Sequence, residues 1–353
     1  MTNSVVALTE LTSTNALAVG GSKIGRLVEM LAAGVAVPRG FVLGVQAYRE
    51  HCAESGLDVV VDGVLNELPA APSEAEVETA SAEIRRAFES APMTPALAAA
   101  VTAAYEDLCA QCADVNAPVA VRSSATGEDG SQASFAGIFD TYLGISGAQR
   151  VLDAVRQCWG SLFTARALRY RHEKGISHHD MPMAVGVLEL IQARASGVAF
   201  SVHPVSGKAD RVVIEGSWGW GEAIVQGLVT PDRAEVGKAD LRVLRYDIGS
   251  KNVVSAFDFE VGRVVETEMP ERLREARVLD EEEVTAIAEA VCRIERQYGY
   301  PVDVEWVIHR HRRAGDPVCI VQSRPVTVRV KEQAPAGWNP AAFASKYAFQ
   351  GKR

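Results

Sequence analysis

The sequence predicts an α+β protein in two lobes. Apolar strand-like runs recur at Val119–Arg122, Ala184–Ile191, Val198–His203, Arg211–Glu215, Val302–His309 and Val318–Ser323, more than a doubly wound fold needs. The helical patterns cluster at Glu74–Ser90 and Thr94–Ala113 instead of alternating with the strands. The chain is also long and apolar enough for two cores, with 353 residues, 48% hydrophobic and 23% charged.

In chain order, the first forty residues read as strand, glycine turn, helix and turn. Gly20-Gly21-Ser22-Lys23 leads into Leu27, Met30 and Leu31 at helical spacing, and Val37-Pro38 closes the unit. Residues 57–73 read as looser, punctuated by Leu68-Pro69 and Pro72. The two Ala-rich helices that follow each start after a capping Ser or Thr. Val119-Ala-Val-Arg122 opens a strand that runs into a Gly/Ser loop, and 151–170 reads as one helix. A mixed region then precedes a helix over Asp280–Gln297. Asp280 and Glu283 form its D-x-x-E capping box, and Val284, Ile287, Val291 and Ile294 form its apolar stripe. A hairpin, Val302–His309 with Val318–Ser323, is the last element. The expected organisation is an N-terminal lobe over 1–183 with a helical insert near 74–115, a C-terminal lobe over 184–328, and a tail over 329–353.

Charge and composition narrow the function. A net charge of −9 argues against a nucleic-acid groove or an anionic membrane surface, so an anionic ligand needs a local basic pocket. No basic residue precedes Lys23, no apolar run reaches membrane-spanning length, and the chain is expected to be cytoplasmic. The six cysteines are scattered, as reduced thiols are. Cys109-Ala-Gln-Cys112 lacks the second pair of a zinc site and reads as a helix that carries two thiols.

Several familiar signatures are absent: GxxxxGK[ST], strand–GxGxxG–helix, HExxH and GxSxG. Other phosphate-handling parts are present. Arg122 is expected to end an apolar strand, where a guanidinium can leave the sheet and clamp a phosphate, and Ser123-Ser124-Ala-Thr126-Gly127 offers hydroxyls and amides. Gly130 to Gly137 is a small-residue loop able to form an anion nest, Thr141 starts the next strand, and Lys23 follows a double glycine. On the last hairpin Asp303 and Glu305 share one face, and Gln322 and Arg324 share a face of the partner strand. A carboxylate and an amide oxygen suit Mg²⁺, and the neighbouring arginine suits a phosphoryl group. Taken singly, these residues read as a surface ion pair, a solvated strand face and a turn; the chemistry lies in their conjunction.

These stretches resemble the N-terminal nucleotide-binding domain shared by phosphoenolpyruvate synthase, pyruvate phosphate dikinase and rifampin phosphotransferase. The matching text is Val19-Gly-Gly-Ser-Lys23, Val37-Pro-Arg-Gly-Phe41, Val119 to Asp129, Ala133-Ser-Phe-Ala-Gly137, Thr141-Tyr-Leu143, Ser196-Gly-Val198, Asp303-Val-Glu-Trp306 and Gln322-Ser-Arg-Pro325. The resemblance covers residues 15–328 and implies an ATP-grasp fold with ATP between two lobes. It implies that Lys23, Arg122 and Arg324 are phosphate-side cations and catalytic groups, that Gly137 and Thr141 are phosphate-loop contacts, and that Glu305 and Gln322 are Mg²⁺ ligands. Glu215, ending a strand before Gly216, is a weaker candidate for the ribose or metal side.

The sequence departs from that pattern in four places. Ser22 is inserted between the double glycine and Lys23. Leu188 stands where the family carries a glutamine on the adenine side, which leaves base contacts to the backbone around Glu189–Ile191. The hairpin carries a basic insert, His309-Arg-His-Arg-Arg313, read as a solvated turn. None of the seven histidines sits in the T-x-x-H context of the family's phosphate carrier; His203 lies in a Ser-Val-His-Pro turn and His178-His179 in a polar connection. The resemblance therefore implies an ATP-cleaving subunit of a split dikinase, of the phenylphosphate-synthase type. A partner chain's swivel-domain histidine would take the β-phosphate, leaving AMP and phosphate, and pass it to a phenol or cresol. The alternatives are a truncated rifampin phosphotransferase or phosphoenolpyruvate synthase, and a non-catalytic nucleotide-binding module.

Overall fold

The computed structural model describes residues 4–125, 129–130, 133–134, 139–225, 227–258 and 263–326. The architecture is α+β with antiparallel sheets, in two compact units: one holds residues up to Val28 and Arg39–Leu190, the other Glu29–Pro38 and the chain from Ile191 on.

The first unit contains strands β1 (Val5–Ala7), β2 (Gly40–Leu43), β3 (Val119–Ala125), β4 (Asp129–Gly130), β5 (Ala133–Ser134), β6 (Thr141–Ile145) and β7 (Met183–Glu189). Its helices are α1 (Ala16–Ala32, which continues into the second unit), α2 (Val45–Ser55), α3 (Leu57–Asn66), α4 (Glu74–Ser90), α5 (Pro95–Gln111), α6 (Ala148–Gly160) and α7 (Ala165–Lys174). Five strands form one antiparallel sheet in the order β1-β2-β7-β3-β6. Strand alternation sends Val119, Val121, Val185 and Val187 into a core with Ile84, Phe88, Val155, Trp159 and Phe163 of the helical layer. The opposite face carries Ala120, Arg122 and Ser124.

Local chemistry explains the helix ends. Ser73 Oγ accepts from the Glu76 N–H while Glu76 reaches back to the Ser73 N–H, a reciprocal cap worth about 1 kcal/mol. Thr94 caps α5, and Pro95 sits at its first position, where its missing N–H costs nothing. The expected single helix over 151–170 is two: a 3-10 turn at Ser161–Phe163 ends α6, and Thr164 Oγ1 caps α7. Residues expected to be loose from 57 on form α3, because Leu57 and Val61, four apart, bury one face in the core. The boundary expected at 183/184 falls after Leu190 in the structure, because β7 pairs with β2 and β3 and completes the first sheet.

The second unit contains β8 (Ala193–Phe200), β9 (Arg211–Trp218), β10 (Asp232–Gly237), β11 (Val243–Asp247), β12 (Val253–Asp258), β13 (Arg263–Glu268), β14 (Val302–His309) and β15 (Cys319–Pro325), with α8 (Glu222–Val225), α9 (Glu271–Arg274) and α10 (Glu281–Tyr298). Six of these strands form an antiparallel sheet in the order β11-β10-β9-β8-β14-β15. Helix α10 has the expected Asp280–Glu283 capping box and packs on this sheet with Val284, Ile287, Val291 and Ile294 fully buried. Each such side chain contributes about 1.5–3 kcal/mol of burial free energy. Val302, Val304, Trp306 and Ile308 of β14 are equally buried. The strands β10 to β13 lie in the region read from sequence only as mixed. The tail over 329–353 lies outside the described residues.

Candidate functional site

In the first unit the cations converge on one face of the sheet. Helix α1 breaks at Gly21, which adopts φ 69° and ψ −174°, and then resumes. A Cβ at Gly21 would lie 2.1 Å from the Ser124 carbonyl oxygen, so no other residue fits this approach of helix to strand. The break starts a new helical turn against β3, and Ser124 Oγ accepts the Ile24 N–H at 3.1 Å, capping that turn. Lys23 is thereby placed on the strand, with Nζ donating to the Ser123 carbonyl at 3.3 Å. The helix begins at Ala16, earlier than the glycine turn read from sequence, so the double glycine bends a helix instead of preceding one.

Arg122 does not end the strand as expected but lies in the middle of β3, because Ser123, Ser124 and Ala125 continue the ladder with β7. It is half-buried, and its direct ladder partner on β6 is Thr141. Opposed residues of an antiparallel pair share a face, so Arg122 and Thr141 stand side by side. Thr141 Oγ1 is buried and has no hydrogen-bond partner among the described residues. A buried hydroxyl left in this state costs about 1–3 kcal/mol unless a ligand oxygen engages it. Two cations and an unsatisfied donor on one face fit a phosphate group. The strand pair β4–β5, with Asp129 opposite Ser134, lies within the small-residue loop. Thr126, Gly127 and Gly137 lie outside the described residues.

Leu188 shares the Arg122 face, through the pairings Ala120–Leu188 and Arg122–Gly186, and is buried. Two nearby backbone donors are already used, since Glu189 N–H donates to the Arg39 carbonyl at 2.8 Å and Leu190 N–H to the Pro118 carbonyl at 3.0 Å. The Glu189 carboxylate is held by Arg39, Nε to Oε2 2.9 Å. Ile191 begins the part of the chain assigned to the second unit.

In the second unit the hairpin β14–β15 sets Asp303 directly opposite Arg324 and Glu305 directly opposite Gln322. All four therefore share one face of the sheet. An extra residue on β15, between Gln322 and Ile320, is absorbed by a bulge beyond this quartet. Arg324 Nε donates to Asp303 Oδ2 at 2.8 Å. The same row continues through Val198 to Glu215, and on to Arg233 of β10. Gly197 and Gly216 face each other beneath Trp306, whose indole would meet a Cβ on either at 2.8 Å. The two glycines thus seat Trp306 on the core side, which turns its neighbour Glu305 to the opposite face.

This face is crowded with carboxylates. Burial raises the Asp303 pKa; Arg324 opposes the rise, and Glu305 adds to it by like-charge repulsion. Burial likewise raises Glu215, against the pull of Arg233 and with a push from Asp303. Acids held in this condition are relieved by an added cation. The hard oxygen donors of Glu305 and Gln322, half-buried and buried respectively, match what Mg²⁺ prefers.

Arg233 was not singled out from the sequence, and Asp303 and Ser124 were named there without the positioning roles that the hydrogen bonds give them. The alternation Asp232-Arg-Ala-Glu-Val, buried at every second position, is the signal that could have placed Arg233 beside Glu215. The basic insert is no solvated turn throughout: Arg312 is buried against Glu282, 2.7 Å away, and holds that carboxyl down at about 2. Cys109 and Cys112 are free thiols, and burial with nearby Glu189 pushes Cys112 up to about 11, so it is a poor nucleophile. Among the described residues no helix is long and apolar enough to cross a membrane.

Comparison with known proteins places these residues in a family context. The family described as "Pyruvate phosphate dikinase, AMP/ATP-binding domain" matches residues 17–339. A probable phosphoenolpyruvate synthase of Methanothermobacter thermautotrophicus is 42% identical over 322 residues, covering 91% of this chain and 46% of that protein. A phosphoenolpyruvate synthase of Aeropyrum pernix is 38% identical over 341 residues, covering 90% and 42%. One from Methanocaldococcus jannaschii, also termed probable, is 39% identical over 313 residues, covering 89% and 26%. The chain spans less than half the length of these relatives.

Proposed function

The chain belongs to the pyruvate phosphate dikinase AMP/ATP-binding domain family, and from that premise we propose that it binds Mg–ATP in an ATP-grasp fold and primes it for transfer to a histidine. The observation that carries this reading is the pairing of Glu305 with Gln322 beside the Asp303–Arg324 ion pair, within the stretch that the family matches. In this proposal each residue set serves nucleotide binding. Lys23, Arg122 and Thr141 of the first unit engage phosphate oxygens, with Gly137 of the small-residue loop. Arg324, oriented by Asp303, supplies a third cation.

Mg²⁺, held by Glu305 and Gln322, would neutralise phosphate charge and align the polyphosphate. The protein's own contribution is positional and electrostatic: its cations fix the phosphates in line and stabilise charge on the transferring group. Base contacts fall to the backbone near Glu189–Ile191 and to the apolar Leu188, and Glu215 serves the ribose or metal side. The histidine attacks the β-phosphorus; the bond to the α-phosphate oxygen breaks, AMP leaves, and water releases the γ-phosphate. None of the seven histidines carries the phosphate-carrier motif, so that histidine belongs to another domain or a partner chain.

Two acceptors fit this chemistry. A phenol or cresol, as in split phenylphosphate-synthase-type systems, is the reading taken from the sequence. Pyruvate is favoured by the relatives, whose printed names are phosphoenolpyruvate synthases. The test mixes the purified chain with β-³²P-ATP and Mg²⁺, with and without a protein that carries the family's swivel-domain histidine, and offers each acceptor. AMP formation with label on the partner's histidine supports the proposal, and the acceptor that discharges it identifies the substrate. ATP binding that never leads to cleavage with any such partner would leave a nucleotide-binding module instead.

A further inference from the structure

The first unit holds a second cluster of ligating side chains, on elements that the proposed nucleotide chemistry does not use. Asp62 projects from the second half of α3, whose Leu57 and Val61 are buried in the helical core, away from the sheet face that carries Arg122. His178 and His179 occupy a single 3-10 turn, His178–Asp180, that leads into β7. Ser177 Oγ accepts the His179 N–H at 3.3 Å and fixes the start of that turn. Both rings reach one oxygen: His178 Nε2 lies 2.9 Å and His179 Nε2 3.2 Å from Asp62 Oδ1. The rings lie against each other with centroids 3.9 Å apart, and one ligand atom from each of the three residues lies within 4.8 Å of the others. Phe163 packs edge-on against His178 at 6.4 Å, which restricts that ring.

We propose that Asp62, His178 and His179 bind a divalent transition-metal ion, with zinc as the best match. Two imidazole nitrogens and one carboxylate oxygen are a common zinc donor set, and they suit Zn²⁺ better than Mg²⁺ or Ca²⁺, which take oxygen. Tetrahedral zinc with bonds of about 2.0–2.1 Å separates its ligand atoms by about 3.4 Å. The observed 2.9 and 3.2 Å need to open by only a few tenths of an ångström. His179 is 59% and Asp62 45% exposed at the side chain, so solvent has access to supply water as a fourth ligand. An exposed His–Asp hydrogen bond contributes little by itself. Convergence of two rings on one oxygen, from segments 116 residues apart, is the geometry of a three-ligand site. The ion would join α3 to the segment entering β7, a strand paired on both sides in the first sheet. Its role is therefore structural, stabilising the first unit by mass action.

The test titrates the tag-free, EDTA-stripped 353-residue chain with zinc sulfate by calorimetry, and separately with Co²⁺ followed by visible absorbance. The proposal expects one zinc per chain, tetrahedral cobalt bands without a thiolate charge-transfer band, and a zinc-dependent rise in the melting midpoint. Uptake and the rise should both disappear in His178→Ala/His179→Ala, and affinity should fall about tenfold or more in Asp62→Asn. Both should persist in Cys109→Ser/Cys112→Ser. Circular dichroism confirms that each variant is folded, and His179→Ala alone serves if the double variant is not, since its side chain is mostly exposed. Failure of the wild type to bind zinc, or undiminished binding by the histidine variants, would overturn the proposal. So would loss of binding on removal of the two thiols.

Discussion

Arg324 Nε donates to Asp303 Oδ2 across the last hairpin, at 2.8 Å, and the next pair on the same face is Glu305 with Gln322. The ion pair is largely buried, with side-chain exposures of 21% and 10%. Breaking such a pair from one side costs more than its formation contributes, because the other charge keeps its desolvation penalty. Asp303→Ala is expected to destabilise the protein by about 2–3 kcal/mol in urea unfolding. A change below about 0.5 kcal/mol would show that the pair does not hold Arg324 in place.

Glu215 provides a pH signature. Its folded-state pKa is raised by burial, so it favours the folded protein below its unfolded value of about 4.3, and that contribution is lost as pH rises through the folded value. Glu215→Gln removes the titration. The stability of the variant relative to wild type should therefore increase as pH rises from about 4.3 through the folded-state value, measured by urea unfolding at each pH. A relative stability independent of pH over that interval would contradict the assignment of Glu215 as a carboxylate penalised by burial.

Thr141 should separate stability from binding. Its hydroxyl is buried without a partner among the described residues, so Thr141→Val removes an unsatisfied polar group at nearly constant volume. The ligand-free protein is expected to keep its stability or gain about 1 kcal/mol. ATP affinity is expected to fall by roughly ten- to a hundredfold, the value of one hydrogen bond to a charged phosphate. Calorimetry and urea unfolding on the same preparation give both numbers; unchanged affinity would remove Thr141 from the phosphate contacts.

Elements governed by local chemistry were legible in the sequence. Helix α10 and its Asp280–Glu283 box, α4 behind Ser73, and the Val302–His309 strand emerge as read, because caps and periodicity are local signals. What sequence missed depends on distant neighbours. Strand β10 alternates buried with half-buried polar positions and the edge strand β11 is largely exposed, which resembles a solvated segment until β9 is known to lie alongside β10. The helical break at Gly21 could not be read, since its cause is the Ser124 carbonyl a hundred residues away. Candidate site residues were found through motif resemblance. The groups that orient them, Asp303 for Arg324 and Ser124 for the Lys23 turn, became visible only through register and hydrogen bonds.

The most direct test of the central claim is calorimetric titration of ATP into the wild-type chain, Arg122→Ala and Glu305→Ala, each with Mg²⁺ and with EDTA. Wild type is expected to bind ATP more tightly with Mg²⁺ than without. Arg122→Ala should lose about tenfold or more in both conditions, since a phosphate loses its cation. Glu305→Ala should bind equally in both, at the wild-type EDTA level. Wild-type affinity in Arg122→Ala, or an undiminished Mg²⁺ effect in Glu305→Ala, would contradict that claim.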